Sequence, residues 1–172
     1  GIDFGGNKSM TTMVCTLYFN KYHDLRPAEE KGLELTPDID ADRICQEFIA
    51  FYNFCIQKYE KVNWVFPDSA STTMINSLRS AARKVNLPYR NIVGCRKNEI
   101  SERLRTIDML LTTGRLKINR TCTKLRKALG GLKWDEKKPN IPEDKNIGNC
   151  NDWYDAFCYS WIDFVEYIDL DR

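Results

Sequence analysis

The nine residues Thr11–Phe19, TTMVCTLYF, constrain this chain most. β-Branched and aromatic residues fill most of the run and no glycine, proline or charge interrupts it, so it fits a pleated strand far better than a helix. Upstream, Ile2 to Gly5 reads as a strand end entering a glycine-bearing turn, Gly5-Gly6-Asn7-Lys8-Ser9. Downstream comes a polar stretch with Pro27 and Gly32, and Gly32 to Thr36 is the expected third, hairpin-related strand.

From Asp40 the pattern changes to helix and strand in turn. Asp40 or Asp42 can cap a helix whose apolar residues Ile44, Phe48, Phe51, Phe54 or Cys55, and Tyr59 keep a three-to-four spacing. Val62 to Phe66 is a short strand ending at Pro67-Asp68-Ser69. Ser69 to Asn86 is a helix and Arg90 to Gly94 a buried strand. Asn98 to Leu111 is a helix with Ile100, Leu104, Ile107 and Leu111 on one face, closed by Gly114. Leu116 to Ile118 is a short strand, and Thr121 to Leu129 a basic helix ended by Gly130-Gly131. Trp134 to Gly148 reads as an extended or mobile excursion, and Asn151 to about Asp169 as an aromatic-rich helix. A hairpin edge followed by helix–strand units predicts an α/β chain, a mixed sheet with helices on its faces.

At 172 residues the chain is expected to form one domain. Its 42% apolar and 29% charged residues argue against wholesale disorder. The densest apolar stretch, Phe48 to Ile56, is interrupted by Asn53 and falls well short of the ~20 residues of a membrane span. The chain opens on Gly1-Ile2-Asp3-Phe4, which reads as a strand interior, so a piece of a longer protein is expected. Seven scattered cysteines with no Cys-x-x-Cys pair point to reduced thiols and away from structural zinc. The glycosylation-like triplets Asn7-Lys8-Ser9 and Asn119-Arg120-Thr121 are then chance matches. The single histidine, His23, lies in a polar loop-like stretch, which argues against a nucleophilic triad.

The net charge of +2 hides an asymmetry: residues 96–138 carry +8 and the remainder −6. A basic segment in an otherwise acidic chain suits either a polyanion-binding face over a carboxylate site or simply a solvated helix face. Three acidic places stand where a sheet would gather them. Asp3 precedes the glycine turn, Asp68 follows the strand to Phe66, and Asp152 and Asp155 share the first turn of the last helix. Such a group repels itself unless a cation joins it, and hard divalent ions take oxygen ligands. Each aspartate taken singly is equally at home as a turn or helix cap.

These residues resemble the C-terminal nuclease domain of the large terminase subunit of tailed bacteriophages. The opening Gly1–Ser9 stretch resembles that family's first strand and turn, and Val65-Phe66-Pro67-Asp68-Ser69-Ala70 its strand ending in Asp-Ser-Ala. Arg115-Leu116-Lys117-Ile118 and Leu132-Lys133-Trp134-Asp135 are similar to later stretches, and Asn151-Asp152-Trp153-Tyr154-Asp155-Ala156 with Tyr159 to the closing one. Asn151 stands where many relatives carry an acid, Asp152 where some carry histidine, and Pro67 removes a ladder donor.

The resemblance implies a ribonuclease H-like mixed central sheet flanked by helices, a single nuclease domain over residues 1–172, and a packaging ATPase domain outside this chain, in which no Gly-x-x-x-x-Gly-Lys-Ser/Thr loop occurs. It implies a metal-dependent endodeoxyribonuclease cutting concatemeric viral DNA by two-metal hydrolysis. Asp3, Asp68 and Asp152 would be catalytic and bind two Mg²⁺ or Mn²⁺, with Asp155 a further metal ligand. Candidate contacts to double-stranded DNA are Arg96, Lys97, Arg115, Lys117, Arg120 and Lys124. The expected partners are DNA, the ATPase domain, portal and the terminase small subunit, with no membrane, in the host cytoplasm. The competing readings are a non-catalytic docking or DNA-binding module, an actin- or sugar-kinase-like nucleotide-binding half, and a junction-preferring RuvC-like resolvase.

Overall fold

The computed structural model describes residues 1–5, 9–34, 39–132, 134–135, 138–142 and 150–168. Gly6, Asn7 and Lys8 of the first turn, Thr36 of the expected third strand, Lys133, Gly148 and Asp169 lie outside them.

The chain is a mixed α/β structure. Strands β1 (Ile2–Asp3), β2 (Thr11–Phe19) and β3 (Asp24–Leu33) form an antiparallel sheet in that order. Helices α1 (Ala41–Tyr59), α2 (Thr72–Lys84), α3 (Ile100–Thr112), α4 (Thr123–Gly131) and α5 (Cys150–Tyr159) follow. Between α4 and α5, β4 (Trp134–Asp135) and β5 (Lys138–Pro142) pair into a two-stranded ribbon, so the described part of the expected excursion is a hairpin.

Parallel contacts widen the sheet on both sides. Beyond β1, the Ile2 N–H reaches Phe66 O at 3.0 Å and the Asp68 N–H reaches Ile2 O at 2.9 Å, and Val65 in turn bridges Ile92. The two expected strands at 62–66 and 90–94 therefore shrink to single bridges, with Tyr89–Asn91 forming a 3-10 turn. Beyond β3, Leu116 bridges Leu25. Pro67 is tolerated because its ring lies on the side facing residues 91–95, where its carbonyl accepts from Cys95 and the ladder ends.

The third strand differs most from expectation: it is Asp24–Leu33, not Gly32 to Thr36. Its sequence, DLRPAEEKGL, lacks the alternation of a half-solvated strand because both faces are covered and Glu29, Glu30 and Lys31 meet partners on helices. Glu29 accepts from Lys58 and, at 2.6 Å, from the Tyr59 hydroxyl, both on α1. Glu30, pointing the other way, accepts 2.8 Å bonds from the backbone N–H groups of Lys124 and Leu125 and so caps α4. Pro27 sits beside a bulge where the register moves from Cys15–Glu29 to Thr16–Pro27, as a proline in a strand requires. Glu30→Ala should cost about 1–2 kcal/mol through the loss of this cap. Urea unfolding checks it: Glu30→Gln, which keeps an acceptor, should lose less than Glu30→Ala.

The apolar core lies on both faces of the sheet. Met13 packs with Phe48, Tyr52 and Leu78 on the α1–α2 side, and Val14 with Leu110, Leu125 and Phe157 on the α3–α4–α5 side. In α1, Cys55 is buried and Phe54 is exposed. In α3 the buried residues are Arg103, Thr106, Ile107 and Leu110, while Leu111 is exposed, a face turned from the expected one. The last helix ends at Tyr159, and a 3-10 segment, Ile162–Tyr167, replaces its expected continuation. Gly130 and Gly131 lie inside α4 at its end. No described helix is long and apolar enough to cross a membrane.

Candidate active site

Backbone pairing alone brings Asp3 and Asp68 together, since Asp68 bonds to the carbonyl of Ile2, the residue before Asp3. Thr12, the register partner of Asp3, donates its hydroxyl to the main-chain carbonyl of Asp152 at 2.7 Å and ties α5 to the same end of the sheet. Two glycines allow that close approach. A Cβ at Gly1 would lie 1.9 Å from the carbonyl oxygen of Ala156, and one at Gly32 would lie 2.8 Å from the Trp153 ring. Sheet and α5 therefore meet almost backbone to backbone, with Asp152 and Asp155 held near Asp3.

The electrostatics follow from this geometry. Burial, then Asp155, Asp152 and Asp68, pushes the Asp3 carboxyl up to about 8, against a lowering effect from Lys97. Asp155 is also raised, chiefly by burial, although Arg103 opposes the rise. Burial and the nearby charges of Asp155, Asp3 and Asp68 raise the Tyr159 hydroxyl, which places that side chain at the same site.

Two basic side chains answer these carboxylates. Lys97 Nζ lies 2.7 Å from Asp68 Oδ1, which also accepts from the Ala70 N–H at 2.9 Å. Arg103 lies 2.7 Å from Asp155 Oδ1, with its guanidinium 5.6 Å from the Tyr154 ring centroid. Among the described residues no group of three or more His, Cys, Asp or Glu stands ready as a metal cage. The donor set still suits a hard divalent cation in kind, because every member is a carboxylate and Asp3 is driven toward its neutral form without added positive charge.

Thr12, Gly32 and Arg103 were missed from sequence. Arg103 alone left a signal: it falls between Ile100 and Ile107 on the apolar side of α3, where a charge needs a buried partner.

The six candidate DNA-contacting residues do not form one patch. Arg96 and Lys97 stand at the carboxylate end, next to Cys95, which bonds to Pro67. Arg96 is exposed, its backbone N–H donating to Asp163 and its guanidinium 3.5 Å from Glu166. Arg115 is buried and donates to the His23 carbonyl at 3.1 Å. Lys117 pairs with Asp24 at 2.6 Å, where hydrogen bonds from Lys117 and Arg26 outweigh burial and hold the carboxyl below its usual range. Leu25, beside Lys117, pairs with Tyr18, and Asp3 pairs with Thr12. At the rise of a strand, the two ends lie roughly 20 Å apart. Arg120 and Lys124 are exposed on and before α4. His23 sits in the β2–β3 turn at the far end, hydrogen-bonded to Tyr18, away from the aspartates. The six described cysteines are free.

No family model matches the chain, and no curated protein matches it in sequence. Solved structures do match in fold. The nuclease domain of the large terminase g2p from bacteriophage SPP1, crystallised with bound Mn, is 19% identical with a TM-score of 0.62, over 95% of this chain and 84% of that one. The large terminase of a thermophilic bacteriophage is 18% identical with a TM-score of 0.64 in one crystal form and 17% with 0.61 in another, each over 95% of this chain. The chain spans 38% of the length of that thermophilic phage protein. It thus has the fold of large terminase nuclease domains.

Proposed function

We propose that this chain is a metal-dependent endonuclease that cuts concatemeric viral DNA during genome packaging. The observation that carries the reading is the convergence of Asp3, Asp68, Asp152 and Asp155 at one end of the sheet, where burial first and then the neighbouring carboxylates push Asp3 up to about 8. The antiparallel β1–β2–β3 order, with residues 65–68 parallel to β1 on its far side, supports a ribonuclease H-like arrangement of a single nuclease domain. The Mn in the SPP1 domain supports divalent-cation use.

Asp3, Asp68 and Asp152 would hold two Mg²⁺ or Mn²⁺ ions, with Asp155 supporting them from its Arg103 pair. Bound there, the ions would supply an activated water and stabilise the leaving oxygen of the phosphodiester. The chain's own residues do the rest. Arg103 keeps Asp155 oriented, Thr12 fixes the start of α5, and Arg96 and Lys97 bind the phosphate backbone beside the cut. Arg120 and Lys124 would extend that contact, whereas Arg115 and Lys117 would touch DNA only if it passed the opposite end of the sheet. Packaging ATPase, portal and small subunit would meet this domain in the host cytoplasm.

Incubation with supercoiled plasmid and Mn²⁺, Mg²⁺ or EDTA tests the reading. Metal-dependent nicking and linearisation is expected, without sequence preference and falling steeply with salt, because phosphate contacts release counterions. DNA binding without cleavage under either metal would instead favour the docking module. Nucleotide binding would favour the kinase-like half, and a preference for branched junctions the resolvase.

A further inference from the structure

Residues 69–98 hold six basic side chains and no acidic one. Helix α2 and the segment after it fold this stretch back on itself. Near the start of α2, a Cβ at Gly94 would meet Ile75 Cδ1 at 3.2 Å. One turn on, Arg79 Nε donates to Ile92 O at 2.8 Å. One turn further, the Arg83 guanidinium stands 5.9 Å from the Tyr89 ring centroid, and that of Arg90 stands at the same distance. Residues 89–97 therefore run antiparallel to α2 and deliver Lys97 to Asp68, 2.7 Å away. The helix rises about 12 Å from Ile75 to Arg83, and Gly94 to Lys97 adds at most about 10 Å.

Arg83 and Arg90 are exposed, and among the described residues no carboxylate pairs with either of them or with Arg79. Basic residues of the sheet and α1 are answered instead, Arg26 and Lys117 by Asp24, Lys31 and Arg43 by Glu47. Arg83 suits the last turn of any helix, but Arg90 lies outside α2. Arg90, by a hydrogen bond and by its charge, and then Arg83 hold the Tyr89 hydroxyl below its ordinary range. Lys84 has a counter-charge in reach, since it and Asp42 of α1 both act on Cys45. We propose that Arg79, Arg83 and Arg90, with Tyr89 between the last two, form a track for one strand of duplex DNA that runs along α2 from Lys97 and the carboxylates. Its length, about 20 Å, is the rise of roughly six base pairs. A face of one sign suits a backbone of uniform charge, and phosphate contacts orient a duplex without reading its sequence. Continuity with Lys97 favours DNA over an acidic protein surface, because the segment that bears Arg90 ends at the carboxylates. The duplex then leaves the site on the α1–α2 side of the sheet. That the track ends at a cut rests on the nuclease reading; that it binds duplex does not.

Fluorescence anisotropy of a labelled duplex, titrated in EDTA over a range of salt concentrations, tests this on three variants of the protein. Arg83→Ala with Arg90→Ala should bind unrelated sequences more weakly and alike, and should lower the slope of log affinity against log salt by about two. Arg83→Lys with Arg90→Lys keeps both charges and should keep the slope. Lys21→Ala, in the β2–β3 turn at the far end of the sheet, should match the parent. An alanine pair with the parent's affinity and slope would overturn the proposal and leave the face to an acidic protein partner. Equal losses in the lysine and alanine pairs would also overturn it, because charge would then not be what binds. Binding is read without cleavage, so the two readings fail separately. Loss of binding in the alanine pair of a chain that never cuts sinks the nuclease and keeps the track, and cutting with unchanged binding in that pair does the reverse.

Discussion

Asp3→Asn is expected to abolish metal-dependent cleavage and, at the same time, to raise the melting temperature of the metal-free protein. The loss of activity should be on the order of 10²–10³-fold or more, the scale of removing a group that stabilises charge in the transition state. The stability change has the opposite sign because Asp3 is an electrostatic liability in the bare fold. An aspartate in the unfolded chain titrates near 3.9, whereas burial and the three neighbouring aspartates put this one at about 8. Between those values the native state holds a proton that the unfolded state has released. Stability contributed by this group therefore falls as pH rises from about 4 to about 8, and the whole loss is present above that range. Asparagine removes the dependence, so the variant should melt several degrees above the parent at pH 8 and close to it at pH 4. Mn²⁺ should raise the melting temperature of the parent at pH 8 and do so much less in the variant. A variant that cleaves normally would remove Asp3 from the site, and a parent whose metal-free stability climbs from pH 5 to 8 would show that the carboxylates do not repel as described.

The two aspartates of α5 should separate in a second experiment. Asp152 is fixed through its main-chain carbonyl by Thr12, a bond that Asp152→Asn leaves intact. That variant should keep its melting temperature and lose cleavage by about the same factor as Asp3→Asn. Asp155 stands in a charge pair with Arg103, whose side chain is only 10% exposed. Asp155→Asn leaves that guanidinium without its counter-charge, at a cost of about 2 kcal/mol, below the figure for a fully buried pair because Asp155 itself is partly exposed. Cleavage should fall less than in Asp152→Asn, with a higher Mn²⁺ requirement. The double variant Arg103→Met with Asp155→Asn should recover stability without recovering cleavage. A larger cleavage defect at Asp155 than at Asp152, at saturating Mn²⁺, would exchange their roles.

Local chemistry made much of this chain legible in its sequence. The run Thr11–Phe19 has one sensible conformation, and it is a strand as expected. Asp40 caps α1 through the Arg43 N–H at 2.8 Å, as its position before an apolar period suggests. The spacing of Asp152 and Asp155 on one helical turn, and the position of Asp68 after a short apolar run, were readable because they depend only on neighbours in the chain.

Tertiary contact decided the remainder. β3 was hidden because Glu29 and Glu30, which look solvated, are held by Tyr59 and by the start of α4, partners about 30 and 95 residues away. The +8 segment looked like a single basic face, yet Arg115 and Lys117 serve one end of the sheet and Arg96 and Lys97 the other. Charge along a chain does not state where the chain turns. Sequence determined the acids, the strand Thr11–Phe19 and where the five helices lie, but not β3 or the end of α5. Only packing decided which acids meet, because the acidic cluster forms where Gly1 and Gly32 let α5 approach the sheet and where Lys97 and Arg103 reach Asp68 and Asp155. A carboxylate's proton affinity is set by the charges and the burial that the folded chain puts around it.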